Sequence, residues 1–357
     1  MPNSTFIIAE AGVNHNGSLD MALELIDVAA HARADAVKFQ TFISDKVVTS
    51  RADKAAYQVT NTKTGGTQLD MIRKLELSQD DHQVLVQRCK ARGIRFLSTA
   101  FDSQSLAFLS GLDMPCIKLP SGDITCGPLL LQAARLQRPM LLSTGMSTLT
   151  DIESALGVLA FGLTRQDEPT RQSDFEDAYA SDEGLAALQR HVTILHCVTQ
   201  YPAPARAVNL RAMDTIAGAF GLPVGYSDHT LGIEVALAAV ARGATVIEKH
   251  FTLDCSLEGP DHAASLDPQE LARLVSGIRT IEQALGSPTK RPAADEVANR
   301  PIARRSLVAA RRIAKGETFT PDAFEYKRPG DGLSPMQFWD LLGRSASRDF
   351  DLDDQIQ

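Results

Sequence analysis

The sequence predicts an α/β protein, a (β/α)8 TIM barrel followed by a small β-rich domain, and three observations support this. Eight short segments rich in β-branched and aromatic residues recur up to residue 252. Most intervals between them carry apolar residues at helical spacing. Beyond residue 285 the composition changes to short runs broken by glycine and proline. Alternation of strands and helices indicates a parallel sheet, and eight such units close into a barrel.

The eight predicted strands are apolar on both faces, as is typical of parallel strands covered by helices. They span residues 6–13, 36–42, 94–101, 116–121, 139–145, 192–198, 223–230 and 245–252. Amphipathic helices are predicted over residues 19–34, 78–92, 148–160, 231–242 and 268–285. The interval 161–190 is acidic, and we expect a surface insertion with partial helix whose charges face solvent.

Three regions are predicted along the chain. Residues 1–285 form the barrel, residues 286–304 form a linker with prolines and no apolar period, and residues 305–357 form a compact β-rich domain. The last region is close to the smallest length that folds alone. We therefore expect it to be associated with a barrel.

Composition argues against several classes of protein. The formal net charge of -8 argues against general nucleic-acid binding, which requires a basic face. No apolar run reaches transmembrane length, and the N-terminal residues lack the features of a signal peptide. The five cysteines are scattered and include no CxxC pair, which fits a reducing compartment. We therefore expect a cytoplasmic protein without nucleic-acid or membrane partners.

Polar side chains occur at the carboxyl end of every predicted strand, where the active sites of such barrels lie. They are Glu10, Lys38, Gln40, Thr99, Lys118, Ser121, Ser143, Thr199, Tyr201, Ser227, His229 and His250, with Asp261 beyond the last strand. A single lysine or histidine at such a position is more often structural than functional. Burying two lysines and two histidines at one mouth is costly, however, unless an anion or a metal ion is bound there. The set as a whole therefore predicts one active site.

The residue types indicate a pocket for an anionic ligand beside a metal ion. Lys38 and Lys118, with the nearby serines, suit a ligand that carries phosphate and carboxylate groups. His229 and His250 come from adjacent strands, and we expect their rings to converge on one ion with open positions for substrate. Imidazole ligands favour Mn²⁺, with Mg²⁺ or Co²⁺ as alternatives.

Further ionisable residues complete this interpretation. Glu10, expected across the barrel, is a candidate acid/base group or an orienter of water. Glu248 and Lys249, which precede His250, are expected to point away from the site. A class I aldolase is an alternative, with Lys118 forming a Schiff base that borohydride would trap with substrate.

At these residues the sequence resembles the sialic acid synthase family. The similar motifs include IIAEAGVNHNGS, AVKFQTF, IKLPSGD, GYSDHT and IEKHFTLD, and YKRPGDGLSP in the tail is similar to the family's antifreeze-like (SAF) domain. The resemblance covers essentially the whole chain, in order. It implies an enzyme that condenses phosphoenolpyruvate with an open-chain N-acylmannosamine. The implied products are phosphate and a nine-carbon 2-keto sugar acid such as N-acetylneuraminate.

The resemblance also implies roles for individual residues. It assigns the metal to His229 and His250, and it implies a domain-swapped homodimer in which Arg328 of one tail enters the partner's barrel. The implied contacts of phosphoenolpyruvate are Lys38, Thr99, Lys118, Ser121, Ser143 and Ser227, and those of the sugar and its reacting carbons are Glu10, Gln40, Tyr201 and Asp261. Thr199 stands where the family often has Asn or Ser, and its hydroxyl is expected to contact phosphate or carboxylate. Asp123 stands where the family often has Glu, and it receives no role.

Two alternatives stay open at the level of the sequence. Legionaminic and pseudaminic acid synthases are close relatives within the family, and the motifs do not identify the side chains that contact the sugar at C4 and C6. The antifreeze-like tail also suggests a catalytically inactive carbohydrate-binding or ice-binding protein. The intact set of polar residues at the strand ends argues against that alternative.

Overall fold

Eight parallel strands close into a barrel in the computed structural model, which describes residues 4–62 and 65–357. The strands are β1 (Phe6–Gly12), β2 (Ala36–Thr41), β3 (Arg95–Ala100), β4 (Ile117–Leu119), β5 (Met140–Ser143), β6 (Val192–Cys197), β7 (Val224–Asp228) and β8 (Val246–His250). Each strand pairs with the next along the chain, and β8 pairs with β1. The predicted strands and the closed barrel are confirmed.

Helices alternate with the strands in the barrel unit. They are α1 (Leu19–His31), α2 (Ser44–Val47), α3 (Ala56–Thr62), α4 (Gln68–Ile72), α5 (Gln79–Arg92), α6 (Ser103–Ser110), α7 (Gly127–Arg135), α8 (Leu149–Thr164), α9 (Ser173–Tyr179), α10 (Asp182–His191), α11 (Ala205–Val208), α12 (Ala212–Phe220), α13 (Glu234–Ala241) and α14 (Pro268–Leu285). All five predicted helices are present, with ends that differ by a few residues at most. Within the described part of the chain, no helix is long and apolar enough to cross a bilayer.

Side-chain caps determine where several of these helices begin. Ser78 accepts the backbone N–H of Asp81 at the start of α5, and Asp81 in return accepts the backbone N–H of Ser78. Thr148 and Asp151 form the same reciprocal pair at the start of α8. Such caps satisfy helix N–H groups that lack partners within the helix, and each contributes about 1 kcal/mol.

The acidic stretch 161–190 is more helical and more buried than predicted. α8 continues through Thr164, and α9 and α10 occupy most of the segment between Thr164 and β6. Phe161 is buried and meets Phe175 of α9 edge to face, with ring centroids 5.4 Å apart. Ala178 and Leu188 are buried as well. The expected solvent-facing insertion therefore consists mainly of a pair of helices whose apolar positions lie between the charged ones.

The chain divides into two compact units, Met1–Gly286 and Ser287–Gln357. The second unit contains α15 (Ala294–Val297), α16 (Arg300–Ala303), β9 (Ser306–Ala309), β10 (Phe324–Lys327) and α17 (Phe338–Leu341). Two short helices thus occupy some of the predicted linker. β9 and β10 pair in an antiparallel ladder over a core that includes Leu307, Ile313 and Phe350. The second unit therefore has a hydrophobic core of its own.

Candidate active site

Four ionisable side chains meet inside the barrel near the carboxyl ends of the strands. Glu10, Lys38, Lys118 and Glu248 each expose no more than 4% of their surface. Lys38 Nζ lies 2.7 Å from Glu10 Oε2 and 3.5 Å from Glu248 Oε2, and it donates to Thr99 Oγ1 at 2.9 Å. Lys118 Nζ lies 3.7 Å from Glu248 Oε1. The two buried lysines are thus paired with carboxylates of the chain itself. The expectation that they need a bound anion or metal ion is therefore wrong.

The prediction that Glu248 points away from the site is wrong. Successive side chains of a strand alternate between its two faces, so Glu248 and His250 share the face that lines the site. Ser227 Oγ donates to Glu248 Oε1 at 3.0 Å, which holds the carboxylate between the lysines. Lys249 does point away, as expected, and pairs with Asp228. The two-residue period of β8 is the signal in the sequence that identifies Glu248.

Glu10 lies beside His250, and the expectation that it lies across the barrel is also wrong. Closure of the barrel pairs β1 with β8, and the strand register sets Glu10 opposite His250. Gln40 Nε2 donates to Glu10 Oε1 at 3.3 Å. A Cβ atom at Gly12 would lie 3.3 Å from Gln40 Nε2 and Glu10 Oε1, and 3.4 Å from His250 Cε1. The three side chains therefore converge on the backbone of Gly12, where the φ of +52° also favours glycine.

Burial and neighbouring charges have opposite effects on the two carboxyl groups. Burial raises the pKa of Glu10 to about 7, because Lys38 offsets the effect only in part and Glu248 adds to it. Burial also disfavours the charged form of Glu248, but Lys118 and Lys38 outweigh it and lower the pKa of Glu248 to about 2. Glu10 is therefore the carboxyl group that can exchange a proton near neutral pH, while Glu248 stays ionised.

The two lysines also differ. Burial lowers the pKa of Lys38, but the two nearby carboxylates outweigh it and the pKa is raised overall. Burial lowers the pKa of Lys118, and its neighbour Glu248 offsets the effect only in part. Lys38 is therefore the more firmly protonated of the two ammonium groups.

Hydroxyl groups gather where β4, β5 and β6 end. Ser121 Oγ accepts the backbone N–H of Gly145 at 2.9 Å and lies 3.1 Å from Cys197 Sγ. A Cβ atom at Gly145 would lie only 2.1 Å from Thr199 Oγ1, so glycine is needed for this close approach. Ser143 Oγ is buried and has no hydrogen-bond partner among the described residues. These groups offer hydrogen-bond donors to a ligand beside Lys118.

His229 and His250 face each other, with ring centroids 5.4 Å apart. Tyr201 packs on His229 at 4.2 Å and meets His250 edge to face at 5.7 Å between centroids. His229 Nδ1 lies 2.6 Å from the carbonyl oxygen of Val198, which can only accept, so Nδ1 donates and Nε2 keeps its lone pair. Burial lowers the pKa of both imidazoles, which makes them neutral near pH 7.

The donor set of His229 and His250 fits a divalent metal ion. Metal-binding histidines usually donate their second N–H to a carbonyl or carboxylate, as His229 does. His250 Nδ1 is buried without a hydrogen-bond partner and lies 4.0 Å from Asp261 Oδ2. Over residues 4–62 and 65–357, no three His, Cys, Asp or Glu side chains group closely enough to hold a metal ion. A metal ion bound here therefore needs further oxygen ligands from solvent or substrate.

The candidate site residues of the barrel unit lie within its strands or in the segments that follow their carboxyl ends. Arg328 belongs to the second unit and directly follows β10. Its side chain is exposed. Asp123, to which no role was given, lies in a short 3-10 turn after β4, and burial raises its pKa to about 6.

Known proteins resemble this chain over nearly all of its length. The sequence model of the NeuB family matches residues 25–290, and that of the SAF domain matches residues 304–357. The N,N'-diacetyllegionaminic acid synthase of Campylobacter jejuni is 45% identical over 353 residues, which cover 99% of both chains. The synthase of the same name from Legionella pneumophila is 43% identical over 342 residues, 96% of this chain and 90% of that one.

A solved structure is also similar. The crystal structure of the N-acetylneuraminic acid synthetase from Leptospira borgpetersenii is 33% identical in sequence to this chain, and the TM-score is 0.67. The match covers 83% of this chain and 90% of that one.

Proposed function

Because the chain belongs to the NeuB family of sialic acid synthases, we propose that it condenses phosphoenolpyruvate with the open-chain form of an N-acylated amino sugar. The products are inorganic phosphate and a nine-carbon 2-keto sugar acid. The observation that carries the proposal is the buried cluster of two lysines and two glutamates beside two facing imidazoles. This arrangement combines an anion site, a proton carrier and a metal site within one barrel mouth.

The charge of the cluster suits phosphoenolpyruvate, which carries a phosphate and a carboxylate. Lys38 and Lys118 are the cations, and Glu248 stays ionised between them. When Glu10 is protonated, two positive charges and one negative charge leave a net charge of +1. Anion binding is then favoured, and the hydroxyls of Ser121 and Ser143 supply neutral donors without adding repulsion.

The reaction joins C3 of phosphoenolpyruvate to the aldehyde carbon of the sugar. Glu10, with its pKa near 7, gives a proton to the aldehyde oxygen as this becomes a hydroxyl. Water adds to C2 and one of its protons returns to Glu10. The tetrahedral intermediate then expels phosphate by cleavage of the C2–O bond, and the phosphate takes the proton of the C2 hydroxyl as the 2-keto group forms. Lys38 and Lys118 stabilise the negative charge throughout. His229 and His250 would hold the metal ion, which would supply Lewis-acid polarisation of the sugar carbonyl.

For the sugar we propose 2,4-diacetamido-2,4,6-trideoxymannose, which gives N,N'-diacetyllegionaminic acid. Two relatives named for that product are 45% and 43% identical to this chain over nearly its whole length. The synthetase named for N-acetylneuraminic acid is 33% identical. N-acetylmannosamine, which would make the protein an N-acetylneuraminate synthase, is the second candidate.

Phosphate release from phosphoenolpyruvate distinguishes these sugars. We expect kcat/KM to be at least about tenfold higher with 2,4-diacetamido-2,4,6-trideoxymannose than with N-acetylmannosamine, because a pocket fitted to one set of substituents disfavours the other. Equal or faster release with N-acetylmannosamine would contradict the choice of sugar. Release with neither sugar, in the presence of Mn²⁺, would contradict the condensation itself.

We propose that turnover requires a divalent ion, Mn²⁺ in the first place, with Mg²⁺ or Co²⁺ as substitutes. EDTA is expected to abolish phosphate release and added Mn²⁺ to restore it, because the two imidazoles alone cannot polarise the carbonyl. His250→Ala is expected to lose bound metal in elemental analysis. His31→Ala is the matched control, since His31 is exposed at the end of α1. A fully active His250→Ala variant would refute the role of the metal.

We further propose that the protein is a domain-swapped homodimer in which Arg328 completes the partner's barrel site. Arg328 is exposed on the second unit, and its guanidinium suits the carbonyl oxygen of an acylamino group of the sugar. Two-fold pairing is also the commonest assembly of soluble proteins. The sugar end of each site would then depend on a second copy of the chain.

Mixed dimers test this arrangement. The variants Arg328→Ala and Lys118→Ala are expected to be nearly inactive alone. Unfolded together and refolded, they form mixed dimers in which one of two sites is intact, so activity recovers to roughly a quarter of wild type with random pairing. Each variant refolded alone is the control. No recovery, with mixed dimers present in native mass spectrometry, would exclude the swap.

A further inference from the structure

A buried ion pair lies on the opposite face of the strands that carry the two imidazoles. Asp228 and Lys249 are partners in the register of β7 and β8, and each exposes no more than 1% of its surface. Lys249 Nζ lies 2.8 Å from Asp228 Oδ2 and donates to the carbonyl oxygen of Thr230 at 2.5 Å. His229 stands between Asp228 and Thr230 in the chain, and His250 directly follows Lys249. Lys249 thus bonds to the residues on both sides of His229, and it directly precedes His250.

The second carboxylate oxygen of Asp228 strengthens the same turn. Asp228 Oδ1 accepts the backbone N–H of Thr230 at 2.9 Å and its hydroxyl at 2.8 Å. Tyr226 Oη donates to the same oxygen at 3.2 Å. The carbonyl of His229 itself accepts the backbone N–H of Ala203 at 2.8 Å. The turn that carries His229 is therefore fixed locally, and Lys249 joins it to β8.

A buried ion pair contributes little to the stability of a fold, so the location of this pair indicates another role. Desolvation of both charges offsets most of their attraction, and apolar residues of the same size often stabilise a fold equally well. Directed bonds to a lysine and a carboxylate do, however, fix geometry to a degree that apolar packing does not. The bonds here define the distance between the turn after β7 and the end of β8.

We propose that Asp228 and Lys249 are positioning residues that hold His229 and His250 at the spacing required by a divalent metal ion. The inference rests on the metal site of the proposed function. Neither residue is assigned as a ligand of the metal or of the substrate. The pair acts through the backbone, on one side through the turn 228–230 and on the other through the last residues of β8.

The barrel also contains a more exposed ion pair that serves as a control. Arg279 of α14 pairs with Asp35, with Nη2 2.6 Å from Oδ2, and its Nη1 donates to the carbonyl of Thr5 at 2.9 Å. Thr5 precedes β1 and Asp35 precedes β2, so this pair lies at the amino ends of the strands, away from the site. Loss of its bonds is expected to lower stability without moving either imidazole.

The test is a titration of the metal-depleted full-length protein with Mn²⁺, in which free Mn²⁺ is measured by electron paramagnetic resonance. Lys249→Met keeps the apolar stem and removes both bonds of the ammonium group. Its dissociation constant for Mn²⁺ is expected to rise about ten- to hundredfold, as when partners of metal ligands are removed. Arg279→Met is expected to melt at a lower temperature than wild type and to bind Mn²⁺ with the wild-type constant.

If Lys249→Met does not fold, Thr230→Val is titrated instead. This substitution removes only the hydroxyl bond to Asp228 and leaves no charge unpaired. Its dissociation constant is expected to rise roughly two- to tenfold. An unchanged constant in the folded variant, or an equal rise in Arg279→Met, would overturn the positioning role. A wild-type protein that binds no Mn²⁺ would instead contradict the metal site itself, and this inference with it.

Discussion

The site depends on the contact of one carboxylate, Glu248, with two buried lysines. Lys38 and Lys118 repel each other, and neither is exposed enough for water to screen that repulsion. Glu248 lies 3.5 Å from one ammonium group and 3.7 Å from the other, and Ser227 fixes its orientation. The two lysines are therefore held in place by the chain itself, so the proposed binding of an anion would require little reorganisation. Glu10 completes the balance and, by taking up a proton, gives the cluster a net positive charge.

Strand β8 links this cluster to the rest of the proposed chemistry. Its inner face carries Glu248 and His250, and its outer face carries Lys249, so one strand contributes to the proposed anion and metal sites and to the ion pair behind them. Closure of the barrel brings Glu10 beside the same strand. The proposed proton carrier, the proposed metal ligand and the carboxylate between the lysines thus come from two neighbouring strands. A rigid sheet suits this purpose, because strand register fixes the spacing of the groups.

The fold, and the gathering of polar side chains inside one barrel, were predictable because both depend on local patterns. Apolar β-branched runs mark the strands, and the carboxyl ends of parallel strands always lie at one mouth. The wrong predictions concern strand faces and contacts between distant segments, which a single run of residues does not show directly. Glu248 is identified by strand alternation, which the run Glu248-Lys249-His250 obscures when it is taken as one unit. The proximity of Glu10 to His250 requires the first and last strands to meet. The burial of Phe161 depends on a helix that begins more than ten residues later.

In the proposed reaction, the two buried lysines form the anion site for phosphoenolpyruvate. Calorimetric titration with phosphoenolpyruvate, without sugar, measures this binding most directly. Lys118→Met, which keeps an unbranched apolar stem and removes the charged ammonium group, is expected to bind about 1.5–3 kcal/mol more weakly. That loss corresponds to about a ten- to 150-fold rise in the dissociation constant. Lys90→Met, at an exposed position of α5, is expected to bind as wild type does. Unchanged affinity in a folded Lys118→Met variant would contradict the claim.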